Sequence, residues 1–389
     1  MRACSAVPMT RTPAAPVWRL PAVRALLAAS LLGFTGYAVT LAALPSYAVR
    51  AGAGIGAAGL VTTVFLATTV AAQTAVPRLV GRFGLGPVLA GGLLALGAPA
   101  PLYLLGDGVG WLCLVSGLRG TGFGVLTVLG STIAARAVPP ARRGESLGLY
   151  GLALGVPTLA ATPGGVALVL DDRFPVVVLV ATLPLLGLLA VPRLVRAVPS
   201  AVTAPSREPV GPAVRAAVPP SAVLLVVTLA GAGVVTFLPI ARPDGAVATV
   251  ALLVFGLTGA SCRWAGGVLT DRFGTRVLLP VALLVGIAGL AVLATGLEVD
   301  ALVYAGVALF GIAYGGSQNT TLVVAMARVG DRGTTTASAV WNAAFDAGTG
   351  VGALVVGLLA AALGLDLAYA VLAGLLVLVL PVAVRVTRR

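Results

Sequence analysis

Long apolar stretches alternate with short polar breaks along nearly the whole chain. Cutting the sequence at clusters of Arg, Asp, Pro and Gly leaves twelve apolar segments, most of them about 20 residues long, which is enough to cross a bilayer core as a helix. They lie near residues 22–47, 55–77, 87–105, 111–135, 146–169, 175–195, 220–240, 247–268, 277–296, 301–326, 335–362 and 367–384. The pattern predicts an all-α membrane protein with twelve transmembrane helices.

The composition supports this prediction. Apolar residues make up 59% of the 389 residues and charged residues only 10%, whereas about a quarter of a soluble domain is charged. Too little polar surface remains to cover the core of a soluble protein of this size. The first 20 residues lack an apolar region directly behind a basic start. We therefore expect no cleaved signal peptide and a first helix that stays as an anchor.

The distribution of basic residues predicts an orientation in the membrane. All 25 are Arg, a usage typical of GC-rich actinobacterial coding. With both termini placed in the cytoplasm, 20 fall on the inner side, Arg50, Arg173 and Arg242 fall outside, and Arg119 and Arg263 lie within helices. This asymmetry follows the positive-inside rule. The net charge of +13 therefore indicates a multi-pass plasma-membrane protein with cytoplasmic termini, and no nucleic-acid partner.

A polar stretch near the middle divides the chain. Residues 196–219 are rich in Pro, Ala, Ser and Arg without an apolar period, and they predict a flexible cytoplasmic linker. The linker separates six helices in residues 22–195 from six in residues 220–384. Short cytoplasmic tails, residues 1–21 and 385–389, complete the predicted organisation.

The two halves repeat several local sequences. The repeats pair LPSYAV at 44–49 with LPIARP at 238–243, RFG at 82–84 with RFG at 272–274, and Arg143-Gly144 with Arg332-Gly333. Two related six-helix halves with a binding site between them near the bilayer midplane are typical of secondary transporters. We therefore expect two pseudo-symmetric six-helix bundles.

A motif after the second helix of the second half carries a family resemblance. The pattern G-x-L-x-D-R-F-G-x-R is formed by Gly267, Leu269, Asp271, Arg272, Phe273, Gly274 and Arg276. Together with the twelve helices, the two halves and the central loop, it resembles the major facilitator superfamily over residues 22–384. The resemblance implies alternating access between two bundles. The efflux-permease-like style of the tenth and eleventh helices implies export of a small organic or drug-like compound.

The physical role of this motif can be stated residue by residue. Gly267 allows close helix packing and Gly274 a tight turn. Asp271 is expected to meet the positive N-terminal end of a neighbouring helix or an Arg of another loop. The resemblance implies an electrostatic latch that holds one state of the transport cycle. The alternative is a solvated turn that serves topology alone.

The first-half copy of the turn departs from the pattern. Arg82 and Gly84 are retained, but Gly81 stands where the second half has Asp271. A latch that depends on a first-half carboxylate cannot operate in this chain.

Two charged residues are predicted deep in the membrane, where charges are costly and usually functional. Arg119 lies about 13 Å inside the outer end of the fourth helix, and Asp346 about 17 Å from the inner end of the eleventh. Asp346 is the single intramembrane carboxylate, so we predict that it couples transport to protons, with Arg119 as second candidate. The alternatives are an ion pair of Asp346 with Arg119 or Arg263, a packing hydrogen bond, or an Arg119 bonded to backbone carbonyls. Arg263 is expected to reach the interface.

Polar positions within the helices are candidates for a substrate cavity. They are Tyr37, Thr40, Gln73, Gln318, Asn319, Trp341 and Asn342. Amides, an aromatic ring and aliphatic surface suit an amphiphilic organic solute better than a polyanion. Interhelical hydrogen bonding is the alternative for each of them. The sequence contains no nucleotide-binding loop, nucleophile elbow or metal-ligand cluster, so we expect no enzymatic activity, catalytic residue, metal or cofactor.

These features predict a monomeric secondary transporter whose partners are a small-molecule substrate, protons and the lipid bilayer. Proton-coupled export of a small organic compound is the leading hypothesis. Proton-coupled uptake of a nutrient such as a sugar remains open, because alternating access is reversible. A transporter-like sensor that moves no solute is a further alternative, for which the altered first-half turn is the best argument.

Overall fold

The computed structural model describes residues 16–53, 55–198, 210–242 and 245–388. Within these ranges the chain forms twelve helical segments long and apolar enough to cross a membrane, and no strand. The predicted all-α, twelve-helix fold is confirmed. Residues 1–15 of the expected N-terminal tail, residues 199–209 of the expected linker and Arg389 lie outside the described residues.

The first six segments contain three that are interrupted. They are α1 (Pro21–Leu41, continued by Ala43–Arg50), α2 (Ile55–Phe83), α3 (Leu85–Gly97, continued by a 3-10 turn at Ala100–Leu105), α4 (Val109–Arg136), α5 (Arg143–Leu170) and α6 (Phe174–Ala181, a 3-10 stretch Leu183–Ala190, and Val191–Ala197). The last six are continuous: α7 (Val210–Ala241), α8 (Gly245–Phe273), α9 (Thr275–Gly296), α10 (Asp300–Val329), α11 (Thr334–Leu363) and α12 (Leu365–Thr387).

The helices form two six-helix bundles, α1–α6 and α7–α12, that repeat the same packing. In the first bundle α2 crosses α4 at Gly120, where a side chain would overlap the backbone of Phe65. In the second bundle α8 crosses α10 at Gly311, where a side chain would meet the backbone of Phe255. Glycine at both crossings lets the helix backbones approach closely, as is common between membrane helices.

The two RFG turns have nearly the same backbone conformation. Gly84 has φ 81° and ψ 168°, and Gly274 has φ 79° and ψ 159°. Both lie at positive φ, which glycine adopts without the steric cost that a side chain imposes. The amide of Gly84 donates to Val80 O at 2.8 Å, and that of Gly274 to Thr270 O at 2.9 Å. The turn is therefore built by the backbone and does not depend on the carboxylate that only one copy retains.

The predicted linker is shorter than expected, because α7 already begins at Val210. The expectation of a linker over 196–219 was wrong for residues 196–197 and 210–219, which are helical. Pro212 lies in the first turn of α7. Proline is tolerated there, because N–H groups in the first turn make no hydrogen bond within the helix. The Ala and Arg residues that follow favour helix.

Successive helices run in alternate directions and gather most Arg side chains at one end of the molecule, here called the Arg-rich face. Sixteen of the described Arg residues lie there, on or beside the helix ends at residues 19–24, 78–82, 136–143, 193–196, 215, 272–276, 328–332 and 385–388. The opposite face carries Arg173 and the ion pairs Arg50–Asp172 and Arg242–Asp300, each within one bundle.

Candidate functional site

A cavity of about 330 Å³ lies between the two bundles. Its walls come from α1, α4 and α5 of the first bundle and α8, α10 and α11 of the second, each near the middle of the helix. The aromatic side chains in the wall are Phe34, Tyr37, Phe123, Phe255, Tyr314, Trp341 and Phe345. The wall is thus mainly apolar and aromatic, with a few polar groups that can orient a ligand.

Aromatic rings stack on one another in the wall of each bundle. Tyr37 stacks on Phe123 with ring centroids 4.0 Å apart, and Trp341 stacks on Phe345 at 5.9 Å. Contacts between aromatic rings add stabilisation beyond that of their buried area. These contacts therefore stabilise the aromatic surface of the cavity.

Asp346 lies on the cavity wall and is bonded across the two bundles. Gln73 Nε2 on α2 donates to Asp346 Oδ2 at 2.6 Å and to Thr127 Oγ1 at 3.2 Å. The other amide atom, Gln73 Oε1, is buried without a hydrogen-bond partner among the described residues. No ion pair joins Asp346 to Arg119 or Arg263 within the part of the chain that the structure describes. The carboxylate is therefore hydrogen-bonded to a neutral amide and does not form an ion pair with either of these arginines.

Arg119 is fully buried and bonded to backbone. Its Nε donates to Leu96 O at 2.9 Å, its Nη2 to Gly36 O at 2.7 Å, and its Nη1 to Thr40 Oγ1 at 3.0 Å. The guanidinium also lies 5.5 Å from the centroid of the Tyr103 ring. Arg119 thus joins α1, α3 and α4 and does not line the cavity, which matches the alternative of a structural bond to backbone carbonyls.

Arg263 is on the cavity wall, and the expectation that it reaches the interface was wrong. The apolar pattern predicts an eighth helix that ends near residue 268, but α8 continues to Phe273. Arg263 is therefore about 15 Å from the end of the helix, too deep for its side chain to leave the bundle. Its Nη1 donates to Gln318 Oε1 at 2.7 Å.

The other cavity candidates divide into two groups. Tyr37, Gln318, Trp341 and Asn342 line the cavity together with Asp346. Thr40, Gln73 and Asn319 do not line it, because they bond to Arg119, to Asp346 and to Gly144 O (3.3 Å), respectively. Sequence reasoning missed Arg263, Phe255 and Tyr314 as wall residues. The depth of Arg263 and the matching positions of Phe255 and Phe65 in the repeat were the available signals.

Asp271 caps a helix of the opposite bundle. Its Oδ1 accepts from the amide of Gly144 at 2.9 Å and its Oδ2 from the amide of Glu145 at 2.8 Å. These amides belong to the first turn of α5, where N–H groups lack helical acceptors and the helix dipole favours a negative charge. Gly144 and Gly267 face each other so closely that a side chain on either would overlap the backbone of the other. The second-half motif thus binds the first bundle directly.

The three arginines of the two turns make contacts within their own bundle. Arg82 lies over Phe83 and Arg272 over Phe273, with 5.2 and 5.3 Å from guanidinium to ring centroid. Arg276 donates from Nε and Nη2 to the main chain at the end of α12, at 3.3 and 2.8 Å. Their described contacts stabilise the turns and do not cross between the bundles.

A second set of contacts joins the two bundles at the Arg-rich face. Here the first-half turn cannot contribute, because it lacks the carboxylate. Asp331, between α10 and α11, pairs with Arg136 at 2.7 Å and with Arg143 at 3.0 Å. Deeper in the bundle, Ser131 and Ser338 are hydrogen-bonded to each other. The carboxylates that tie the bundles together at the Arg-rich face therefore come from the second half at both places.

The bundles separate with distance from the Arg-rich face. A side chain at Gly148 would come within 2.8 Å of Trp264 O, whereas one at Gly155, two turns further along α5, would have its nearest neighbour at 3.9 Å. The structure is a state closed at the Arg-rich face, with the cavity beyond the closed contacts.

Two related helix bundles with a cavity between them at mid-depth define a membrane transporter of the two-bundle type. The chain belongs to the Major Facilitator Superfamily, whose family model matches residues 26–347. No curated protein sequence matches the chain at a significant level.

Solved structures of this superfamily share the fold at low sequence identity. The human organic anion transporter MFSD10 (TETRAN) superposes with a TM-score of 0.77 at 17% identity, covering 96% of this chain and 100% of that one. The transporter FucP in the outward conformation gives 0.71 at 16%, covering 96% and 99%. A second structure of the E. coli fucose:proton symporter FucP gives 0.71 at 16%, covering 94% and 97%.

Proposed function

We propose that this protein is a secondary active transporter that exports a small amphiphilic organic compound in exchange for protons. The observation that carries the proposal is Asp346, a carboxylate on the wall of an aromatic cavity between two bundles. A carboxylate at this depth is costly to keep charged, and acidic side chains inside membrane helices commonly serve as proton-relay sites. Its amide partner Gln73 lies on the opposite bundle, so protonation acts on a bond that spans the two bundles.

The Arg-rich face is assigned to the cytoplasm by the positive-inside rule. The described state is then closed toward the cytoplasm, and Asp346 takes its proton from outside. Closure of the outer ends and opening of the Arg-rich face would carry that proton inward, and the reverse movement would carry the organic compound outward. The cavity is complete within one chain, so a monomer in the plasma membrane is sufficient.

Accumulation measurements in cells test the direction of transport. The panel consists of amphiphilic aromatic acids, neutral compounds and amines, measured in cells that express the protein and in cells that lack it. We expect the expressing cells to accumulate less of at least one class. Higher accumulation would establish uptake instead, and unchanged accumulation of every compound would support a sensor that moves no solute. An Asp346→Asn variant at equal expression serves as the matched control.

The cap on α5 is expected to hold the closed state. Asp271→Asn keeps the size of the side chain but replaces two charge-assisted hydrogen bonds by weaker ones. Losing them should cost about 1–2 kcal/mol of closure, or about tenfold in the population open to the cytoplasm. The readout is the rate at which a polar maleimide labels Ser131→Cys from the cytoplasmic side, with Cys4, Cys113 and Cys262 replaced by Ser.

Asp366→Asn is the matched control for this labelling experiment, because Asp366 is exposed on the opposite face. Asp331→Asn should also increase labelling, since it removes the ion pairs to Arg136 and Arg143. Equal labelling rates in the parent and in Asp271→Asn would show that the cap does not hold the closed state.

A further inference from the structure

Arg263 carries a charge that the surrounding protein does not neutralise. Its guanidinium has five N–H donors, and its hydrogen bond among the described residues is the one from Nη1 to Gln318. No carboxylate lies within ion-pair distance of it in the described ranges. Arg119, the other Arg within the bundles, donates to two backbone carbonyls and a hydroxyl. Arg263 therefore has N–H donors that are free to bind a ligand, whereas the donors of Arg119 are used within the protein.

The position of Arg263 makes these donors available to a ligand. The side chain is partly buried and lies on the cavity wall. Its Nε lies against Gly151 of α5, where a Cβ atom would come within 2.5 Å of it. The first bundle thus covers one edge of the guanidinium, and Gln318 binds one nitrogen. An unpaired cation in a mainly apolar site is unfavourable unless an anion compensates it.

Asp346 does not supply that anion. Its Oδ2 accepts from Gln73 on the opposite bundle, and it forms no ion pair with Arg263. The wall thus presents one cation and one separately bonded carboxylate. A substrate anion at Arg263 and a proton at Asp346 occupy different places, which allows the two to be exchanged.

We propose that the transported compound is an organic monoanion whose carboxylate binds Arg263 while its aromatic body lies against the rings of the wall. This inference rests on the proposed transport function and names its substrate class. Arg263 is the one basic side chain in the described lining, so the site matches a single acidic group and not a polyanion. A guanidinium binds a planar carboxylate through two parallel hydrogen bonds. A cavity of about 330 Å³ suits a body of two fused rings.

The charge of such a substrate is consistent with export. The interior of a cell is electrically negative, so the membrane potential drives an anion outward and a proton inward. Both movements of the proposed exchange therefore follow the potential.

Binding of three naphthalene compounds tests this inference. Naphthoate, naphthamide and naphthylmethylamine share the ring system and differ in charge. Affinities are measured on purified full-length protein at one pH by equilibrium dialysis, with the quenching of intrinsic Trp fluorescence as a second readout. The wild type should bind naphthoate about tenfold more tightly than naphthamide, the effect of one charge-assisted contact. Naphthylmethylamine should bind more weakly than either.

Two variants at position 263 test whether Arg263 binds the carboxylate of the ligand. Arg263→Gln should weaken naphthoate binding about tenfold and leave naphthamide binding within about twofold of the wild type. Arg263→Lys should restore part of the preference for the anion, because it keeps the charge but loses the planar fork. Thermal unfolding of both variants distinguishes a loss of binding from a loss of folding.

Several results would overturn the inference. They are equal affinity of the wild type for naphthoate and naphthamide, an unchanged preference in a folded Arg263→Gln variant, and no saturable binding of naphthoate. The assay contains no gradient and no second compartment, so it does not depend on proton coupling or direction. A failure of proton-coupled transport would leave the charge preference in place. Loss of the preference with intact proton-driven flux of a neutral compound would remove this inference alone.

Discussion

Replacing Asp346 with Asn is expected to abolish transport driven by a proton gradient and to leave substrate exchange intact. Asn has nearly the same shape, and its carbonyl oxygen still accepts the hydrogen bond that Gln73 donates to Asp346. It cannot bind or release a proton at physiological pH. Gradient-driven flux should fall by about 100-fold or more, the scale on which a positioned proton-transfer group acts.

Proteoliposomes separate the two activities. Driven flux is measured with an imposed pH gradient, and exchange is measured at equal pH with labelled compound inside and unlabelled compound outside, using the compound that the cell panel selects. Glu298→Gln is the matched control, because Glu298 is an exposed acid at the opposite face. Proton-driven flux of Asp346→Asn equal to that of the wild type would exclude Asp346 as the coupling group.

Replacing Arg119 with Met is expected to destabilise the first bundle strongly. The substitution keeps an unbranched side chain but leaves the carbonyls of Leu96 and Gly36 without their charged donor in the interior. The loss of these two buried charge-assisted hydrogen bonds should cost about 3–5 kcal/mol. The apparent melting temperature and the folded fraction after size-exclusion chromatography measure the loss.

Arg119→Lys is the conservative control and should lose less, since a Lys ammonium can still reach some of the same acceptors. An Arg119→Met protein with the melting temperature of the wild type and without proton-driven flux would contradict the structural role. That result would restore Arg119 as a proton-coupling residue.

The sequence was sufficient to predict the features that depend on residues close together in the chain. Twelve apolar segments predict twelve helices, because a helix satisfies the hydrogen bonds of its own backbone in lipid. The paired turns at Gly84 and Gly274 were predictable, since a glycine between two helical runs marks a backbone position that other residues adopt with strain. The charge of Asp271 indicated either a helix N-terminus or an Arg as its partner, and the structure shows the helix N-terminus. These inferences need no knowledge of distant contacts.

The contacts that define the site could not be predicted, because they join residues far apart in the chain. Gln73 and Asp346 are 273 positions apart, and nothing local to either indicates the other. Thr40 is polar and faces inward, but its hydroxyl accepts a hydrogen bond from Arg119 and does not line the cavity. The place of Arg263 was missed because Thr-Asp-Arg-Phe at 270–273 looks like a loop, whereas the helix continues through it. Its depth follows directly from that extension.

Proton movement coupled to substrate movement is the most direct test of the account. Wild-type proteoliposomes contain a fluorescent pH indicator, and the compound selected by the cell panel is supplied as an outward gradient without any initial pH difference. Export in exchange for protons predicts that the interior becomes more acidic, with saturable dependence on the compound and no response in protein-free vesicles. Saturable efflux of the compound with no change of internal pH would contradict proton coupling.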